Sequence, residues 1–300
     1  MRVCVVGAGT SGLAAIRGLR RAGHEVRAYE AAAGIGGMWR YGDTAAYASL
    51  RTNTSRRRMQ YPSLAIGRSV AEFPHHSEML AYLERYAEAN GLASSIELAT
   101  RVQRARLGPD GGWEVELADR QGAPERFDAL VVASGHYRDP EIPSLPGRFA
   151  GEIRHVRDYD APEPYWGRRV VVLGAGQSAL DIAAEVATVA ERVTLSCRQG
   201  HHLVPRRVLG RPLDEFDRST ALLLPPAAVR ALLELLIRAG RATPPRGGFP
   251  LAAHPLLQTR WPVVVSPALQ AALEEGAIHH RPRIAALEAD HVRFEDGTSE

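Results

Sequence analysis

At 300 residues the chain has room for about two domains, and with 45% apolar and 24% charged residues it can bury cores, which excludes a disordered chain. A net charge of +3 with scattered basic residues excludes a nucleic-acid surface and leaves a small molecule as the partner. All 37 residues counted as Lys+Arg are arginine, so a lysine-dependent phosphate loop and Schiff-base chemistry are excluded and phosphate recognition falls to arginine and backbone N–H groups.

Residues Arg2 to Val6 read as a short strand, followed at once by GAGTSG, Gly7 to Gly12, and an alanine-rich helical pattern. Gly7 permits a tight turn, Gly9 lets the backbone approach a pyrophosphate, and Gly12 lets the helix pack on the strand. The anion would then sit on the helix N-terminus, in the loop that also holds Ser11. A second strand, Glu25 to Tyr29, ends at Glu30, 18 residues beyond Gly12 and placed to accept hydrogen bonds from a ribose. Next comes GIGGMWR, Gly34 to Arg40, with Gly36 and Gly37 paired ahead of Trp39; by itself it reads as a loop around a buried tryptophan. From Leu50 the chain runs LRTNTSRRRMQYPS, in which Asn53 alone would be a turn residue and Arg56 to Arg58 a solvated face or contacts to a cofactor phosphate. The piece FPHHSEMLAYLERYAEANGL, Phe73 to Leu92, predicts a helix, with Met79, Leu80, Leu83 and Ala87 at helical spacing, Ser77 near its start and Asn90-Gly91 as its stop.

Three apolar runs between Val102 and Val132, separated by PDGG and RQGAPE, predict a small antiparallel meander. The last run, Ala129 to Ala133, ends in ASGHYRDP with Gly135, and Pro140, Pro143 and Pro146 stiffen a linker. Then comes FAGEIRHVRDY, in which Phe149, Gly151, His155 and Tyr159 make the spacing FxGxxxHxxxY. Gly151 allows close chain approach; His155 reads first as a brace for the linker and second as a proton-transfer group.

Taken together, these ordered motifs resemble the flavin-containing monooxygenases. That resemblance implies an α/β fold of two Rossmann-like dinucleotide-binding domains, the FAD domain carrying the small antiparallel β-meander, with FAD and NADPH as cofactors. It implies that Gly36, Gly37 and Trp39 pass along the flavin, that ASG with Gly135 stands for the family's ATG motif with Ser134 in place of threonine, and that Gly151, His155 and Tyr159 sit at the cofactor cleft. The TN pair carries over as Asn53 near the reactive edge of the flavin, where an uncharged amide could hydrogen-bond a C4a-peroxyflavin without delivering the proton that breaks it down. Baeyer-Villiger relatives typically have tryptophan where this chain has Tyr159, so the match leans toward oxygenation of nitrogen or sulfur.

The second half repeats the first. Arg169 to Leu173 predicts a strand and GAGQSA a second loop, with Gly174, Gly176, Gln177 and Ser178 as cofactor contacts and Ala179 in place of the third glycine. The next strand, Val193 to Cys197, ends at Arg198 instead of an acid, and arginine suits the adenosine phosphate of NADPH; Arg206 or Arg207 are possible assistants. Cys4 and Cys197 lie in predicted buried strands and no CxxC exists, which argues against a dithiol reductase and a zinc ribbon and for a reducing, cytoplasmic setting. His201 and His202 are adjacent and point different ways, so they read as structural and no metal is expected. The apolar stretch from Leu222 to Ile237 is broken by Pro225, Pro226, Arg230 and Glu234, so no membrane span is expected; a helix is predicted near Pro267 to Glu275. The region with the VPR element resembles bacterial members of the family and plant relatives that act on an indole keto acid.

The expected organisation is an FAD domain over 1–148, a linker with the fingerprint over 149–165, an NADPH domain over 166–283, and the start of a returning FAD-domain segment over 284–300. In the family the hairpin beginning at VRFEDGT leads to a second ATG motif and a closing helix; the sequence stops at Glu300, which we read as a fragment. The expected function is an NADPH- and O2-dependent monooxygenase acting on an amine or sulfide of a small molecule, with oligomerisation open. The alternatives are a flavin reductase or oxidase without oxygen transfer, a Baeyer-Villiger or keto-acid-decarboxylating monooxygenase, and a flavoprotein without turnover.

Overall fold

The computed structural model describes residues 1–42, 44–137, 139–216, 228, 231, 235, 249, 250 and 264–300. Contacts divide the chain into two units, one of residues 1–52 and 59–140, the other of residues 53–58 and 141–300. The division falls at Pro140, inside the proline-rich stretch.

In the first unit, β1 (Arg2–Val6), α1 (Thr10–Arg21) and β2 (Glu25–Tyr29) follow in order, then a helical turn α2 (Arg56–Met59) that straddles the division, α3 (His76–Ala89) and β3 (Ile96–Glu97). The strands β4 (Val102–Leu107), β5 (Trp113–Leu117), β6 (Glu125–Phe127) and β7 (Ala129–Val132) complete it. Among the described residues a parallel sheet runs β3-β2-β1-β7, and β4-β5-β6 form the antiparallel meander. The valine-rich β1 is buried on both faces: Val5 packs with Leu13, Ile16 and Met79 under the helices, whereas Cys4 packs with Val115 and Phe127 of the meander. That double burial is why its sequence shows an apolar run and no alternation.

One expectation needs correction here. The last apolar run does not belong to the meander: β6 ends at Phe127, Asp128 donates its N–H to Arg2, and Ala129–Val132 pairs in parallel with β1. Ser77 lies near the start of α3, as expected, and the cap is His75: its Nδ1 accepts from the Ser77 N–H while the Glu78 carboxylate accepts the His75 N–H at 2.8 Å, a reciprocal capping box. The buried face of α3 also includes Tyr82 and Tyr86, with Leu80 only partly buried.

The second unit holds β8 (Arg169–Leu173), α4 (Gln177–Val186), β9 (Arg192–Ser196), the short pair β10 (Arg207–Val208) and β11 (Arg211–Pro212), α5 (Pro267–Glu274), β12 (Ile278–Arg281), β13 (Ile284–Leu287) and β14 (Val292–Phe294). Among the described residues its parallel sheet runs β12-β9-β8. Helix α4 buries Leu180, Ile182, Ala183 and Val186, a helical stripe that sets it against β8, β9 and α5. The hairpin β13–β14, assigned from sequence to the returning segment, packs inside this unit on Leu145, Phe149 and Val171. The apolar stretch from Leu222 to Ile237 lies outside the described residues, apart from isolated positions.

Candidate functional site

Both glycine loops are built by one device. The N–H of Gly7 donates to the carbonyl of Tyr29, the last residue of β2, at 2.8 Å; the N–H of Gly174 donates to that of Ser196, the last residue of β9, at 2.9 Å. Each loop ends in a helix capped by glycine, Gly9 for α1 and Gly176 for α4, with no side-chain cap and no acid in the first turn. The first-turn N–H groups therefore lack side-chain acceptors, the arrangement that receives a phosphate. Ser11 and Ser178 are exposed beside them.

The loops differ in their surroundings. Gly7, at φ +101°, lies against the chain end of β7, where any side chain would overlap the Ala133 carbonyl, and a methyl group on Gly12 would overlap the Gly7 carbonyl. Gly9 faces Gly37: a methyl group on Gly37 would come 3.0 Å from the Gly9 Cα. The Gly36 N–H also donates to the Ala8 carbonyl at 3.0 Å, so the GIGG run is stitched to the first loop, with Trp39 buried in the core beneath. By contrast, a methyl group on Gly176 would meet open space.

Glu30 follows β2 and uses both oxygens on backbone, accepting from Ala8 at 2.7 Å and from Ala32 at 2.8 Å. A carboxylate has about four acceptor sites, so capacity for two ribose hydroxyls is left. In the second unit the position after the strand is Cys197, and Arg198 comes next. The Cys197 thiol is free, and burial pushes its pKa up to about 11; Cys4 is likewise free and is pushed up to about 12, mainly by burial. Both are neutral thiols and not nucleophiles. Arg198 is exposed and makes no ion pair among the described residues.

Several predicted site residues have other engagements. The Gln177 amide pairs with the backbone of Val265, donating to its carbonyl at 2.9 Å and accepting its N–H at 3.0 Å, and also donates to Asp181 at 2.8 Å. Its side chain is committed to holding the segment before α5, leaving its backbone N–H for a ligand. His155 Nδ1 accepts the Arg157 N–H at 3.1 Å and so caps a short turn; Tyr159 is buried and stacks on Tyr165 at 5.9 Å; the Phe149 ring lies over Gly151. Gly135, at φ +79°, is exposed just beyond β7.

Asn53 and Arg206, 153 residues apart, meet: Nη2 of Arg206 donates to Oδ1 of Asn53 at 3.0 Å. The adjoining chain is tied down by a residue that sequence reasoning missed, Asp214. Its carboxylate accepts the Ser55 N–H at 2.7 Å and its carbonyl accepts Arg58 Nε at 2.8 Å, while Glu215 pairs with Arg57 at 3.2 Å. No spacing rule links positions so distant, and the LDE run offers only an unassigned acidic pair.

A sequence model of the family described as flavin-binding monooxygenase-like matches residues 1–300. The chain belongs to that family. It is 37% identical over 221 residues to flavin-containing monooxygenase 3 of Rattus norvegicus, covering 68% of this chain and 41% of that protein. It is 32% identical to dimethylaniline monooxygenase [N-oxide-forming] 2 of the same species, covering 100% of this chain and 59% of that one. The chain thus spans about two fifths to three fifths of the length of these relatives. Among solved structures, a mutant of a flavin monooxygenase from Stenotrophomonas maltophilia superposes with a TM-score of 0.73 at 26% identity, over 100% of this chain and 75% of that one. An oxidized steroid monooxygenase bound to NADP shares the fold, with a TM-score of 0.70 over 98% of this chain and 68% of that one. The first glycine loop fits a flavin dinucleotide: an uncapped helix end, backbone approach at Gly9 and Gly37, and a carboxylate at Glu30. Among the described residues no helix is long and apolar enough to cross a membrane.

Proposed function

We propose that this chain carries the FAD and NADPH sites of a cytoplasmic monooxygenase that transfers one oxygen atom from O2 to an amine nitrogen or sulfide sulfur of a small molecule. The other oxygen leaves as water, and NADPH supplies the two electrons. The observation that carries the reading is the repeated loop: two uncapped helix ends behind glycine turns, one followed by the carboxylate of Glu30 and the other by the exposed guanidinium of Arg198.

In this reading the first loop holds the pyrophosphate of FAD on the N–H groups of α1, Glu30 takes the ribose, and Gly36 and Gly37 let the chain lie flat along the cofactor. The flavin, when bound, supplies the hydride acceptance and oxygen activation that no side chain can. The second loop holds NADPH, with Arg198 pairing the adenosine phosphate through charge-assisted hydrogen bonds. Asn53 donates a hydrogen bond near the reacting edge without giving up a proton, since an amide does not ionise in this pH range. Gly135, Gly151, His155 and Tyr159 shape the approach, with His155 bracing the chain.

The test is stoichiometric. FAD-loaded protein is given NADPH, O2 and a tertiary amine or a thioether, and NADPH consumed, oxygenated product and hydrogen peroxide are counted. Product equal to NADPH supports the monooxygenase; NADPH oxidised with peroxide alone supports a reductase or oxidase and overturns the proposal.

A further inference from the structure

We propose that Arg206 is a positioning residue that fixes which end of the Asn53 amide faces the reaction, and that it is not a reader of the cofactor phosphate. The inference rests on the reading of Asn53 as the group beside the flavin. A guanidinium has five donors and no acceptor, so the amide can meet it only with its oxygen. The contact from Arg206 Nη2 to Asn53 Oδ1 at 3.0 Å therefore decides an orientation that the two ends of an amide otherwise leave ambiguous. The NH2 group is turned away from Arg206, and what Asn53 offers its surroundings is a donor.

The backbone is fixed on the same unit. Asp214 holds the Ser55 N–H at 2.7 Å, Ser55 is fully buried, and Arg58 donates to the Asp214 carbonyl at 2.8 Å. With the chain anchored two residues away and the side-chain oxygen engaged, the amide cannot turn over without losing a charge-assisted hydrogen bond. A donor aimed at an electron-rich atom stabilises it without a proton leaving. An outward oxygen would repel that same atom. Arg198, exposed and without an ion pair among the described residues, is open to a phosphate.

The test has two arms. In the 300-residue chain labelled with 15N, the Asn53 side-chain amide signals are identified as the pair absent from Asn53→Asp. Arg206→Met shifts that pair and Arg206→Lys, which retains a donor, restores part of the shift; an unmoved pair in Arg206→Met overturns the proposal. Should Arg206→Met not fold, Arg206→Gln serves, because its amide can face Asn53 with oxygen and release the other orientation. In the FAD-loaded protein, Arg206→Met raises the fraction of NADPH electrons lost to hydrogen peroxide while KM for NADPH stays within about twofold. A rise of about tenfold or more in KM with unchanged coupling makes Arg206 a phosphate reader and also overturns it. The amide arm needs no turnover, so failure of the monooxygenase reading leaves it decisive.

Discussion

The carboxylate of Glu30 accepts the backbone N–H of Ala8 at 2.7 Å, so the acid that ends β2 also shapes the glycine loop that follows β1. Its second oxygen holds Ala32 at 2.8 Å. Glu30→Gln keeps one amide oxygen and Glu30→Ala none. We expect FAD affinity to fall in that order, by about 1.5 kcal/mol or more for alanine, over tenfold. Titration of the flavin-free protein with FAD, followed by flavin fluorescence, checks it; equal affinities for all three proteins would remove Glu30 from the site.

Gly37 separates two effects that glycines usually combine. It has φ +55°, and its missing Cβ makes room for Gly9. Gly23 has φ +80° and nothing within 4 Å of where a Cβ would stand. Both alanine variants carry a left-handed strain of about 1 kcal/mol, so both should lower the melting temperature. Gly37→Ala alone should lose FAD. Similar FAD retention in the two variants would show that the Gly9–Gly37 approach does not serve the cofactor.

For Arg198, removal of the guanidinium should cost NADPH about 2 kcal/mol, roughly thirtyfold in affinity, and leave NADH nearly unchanged, because only the phosphate is lost as a partner. The ratio of KM values for the two nucleotides in Arg198→Ala measures this directly. Parallel losses for both would assign Arg198 to the fold.

The two buried thiols set an alkaline limit. Cys4 is raised from 9.0 to about 12 and Cys197 from 9.0 to about 11, both chiefly by burial, so the folded chain keeps protons that the unfolded chain releases. Stability from this source is complete below pH 9.0 and declines as pH rises toward the folded values. Urea unfolding between pH 8 and 10.5 should show a falling free energy, and Cys197→Ala should flatten part of the fall. A slope unchanged by that substitution would place the alkaline limit elsewhere.

Short apolar strands bounded by a glycine loop or an acid were legible: the sequence boundaries of Arg2–Val6, Glu25–Tyr29 and Arg169–Leu173 coincide with the structure. The loops between them were legible because glycine geometry is local. The split at Asp128 was not, since Phe127 and Ala129 are separated by one residue and only tertiary pairing assigns them to different sheets. Nor was the His75 cap, because histidine is not a usual capping residue and its Nδ1 accepts only in the tautomer protonated at Nε2. Gln177 was legible as a loop position but not as a partner of Val265, and Asn53 was legible without Arg206. In both cases the deciding contact joins residues brought together by the fold alone.

The unequal surroundings of Gly9 and Gly176 bear on how long each nucleotide stays. On the proposed reading, a ligand lying on the first loop is bordered by a second glycine run, whereas one lying on the second loop has open space at Gly176. On the proposed reading, one nucleotide is resident equipment carried through many turnovers, and the other is traffic that arrives reduced and departs oxidised. On that same reading the turn, used twice, serves retention in one unit and exchange in the other.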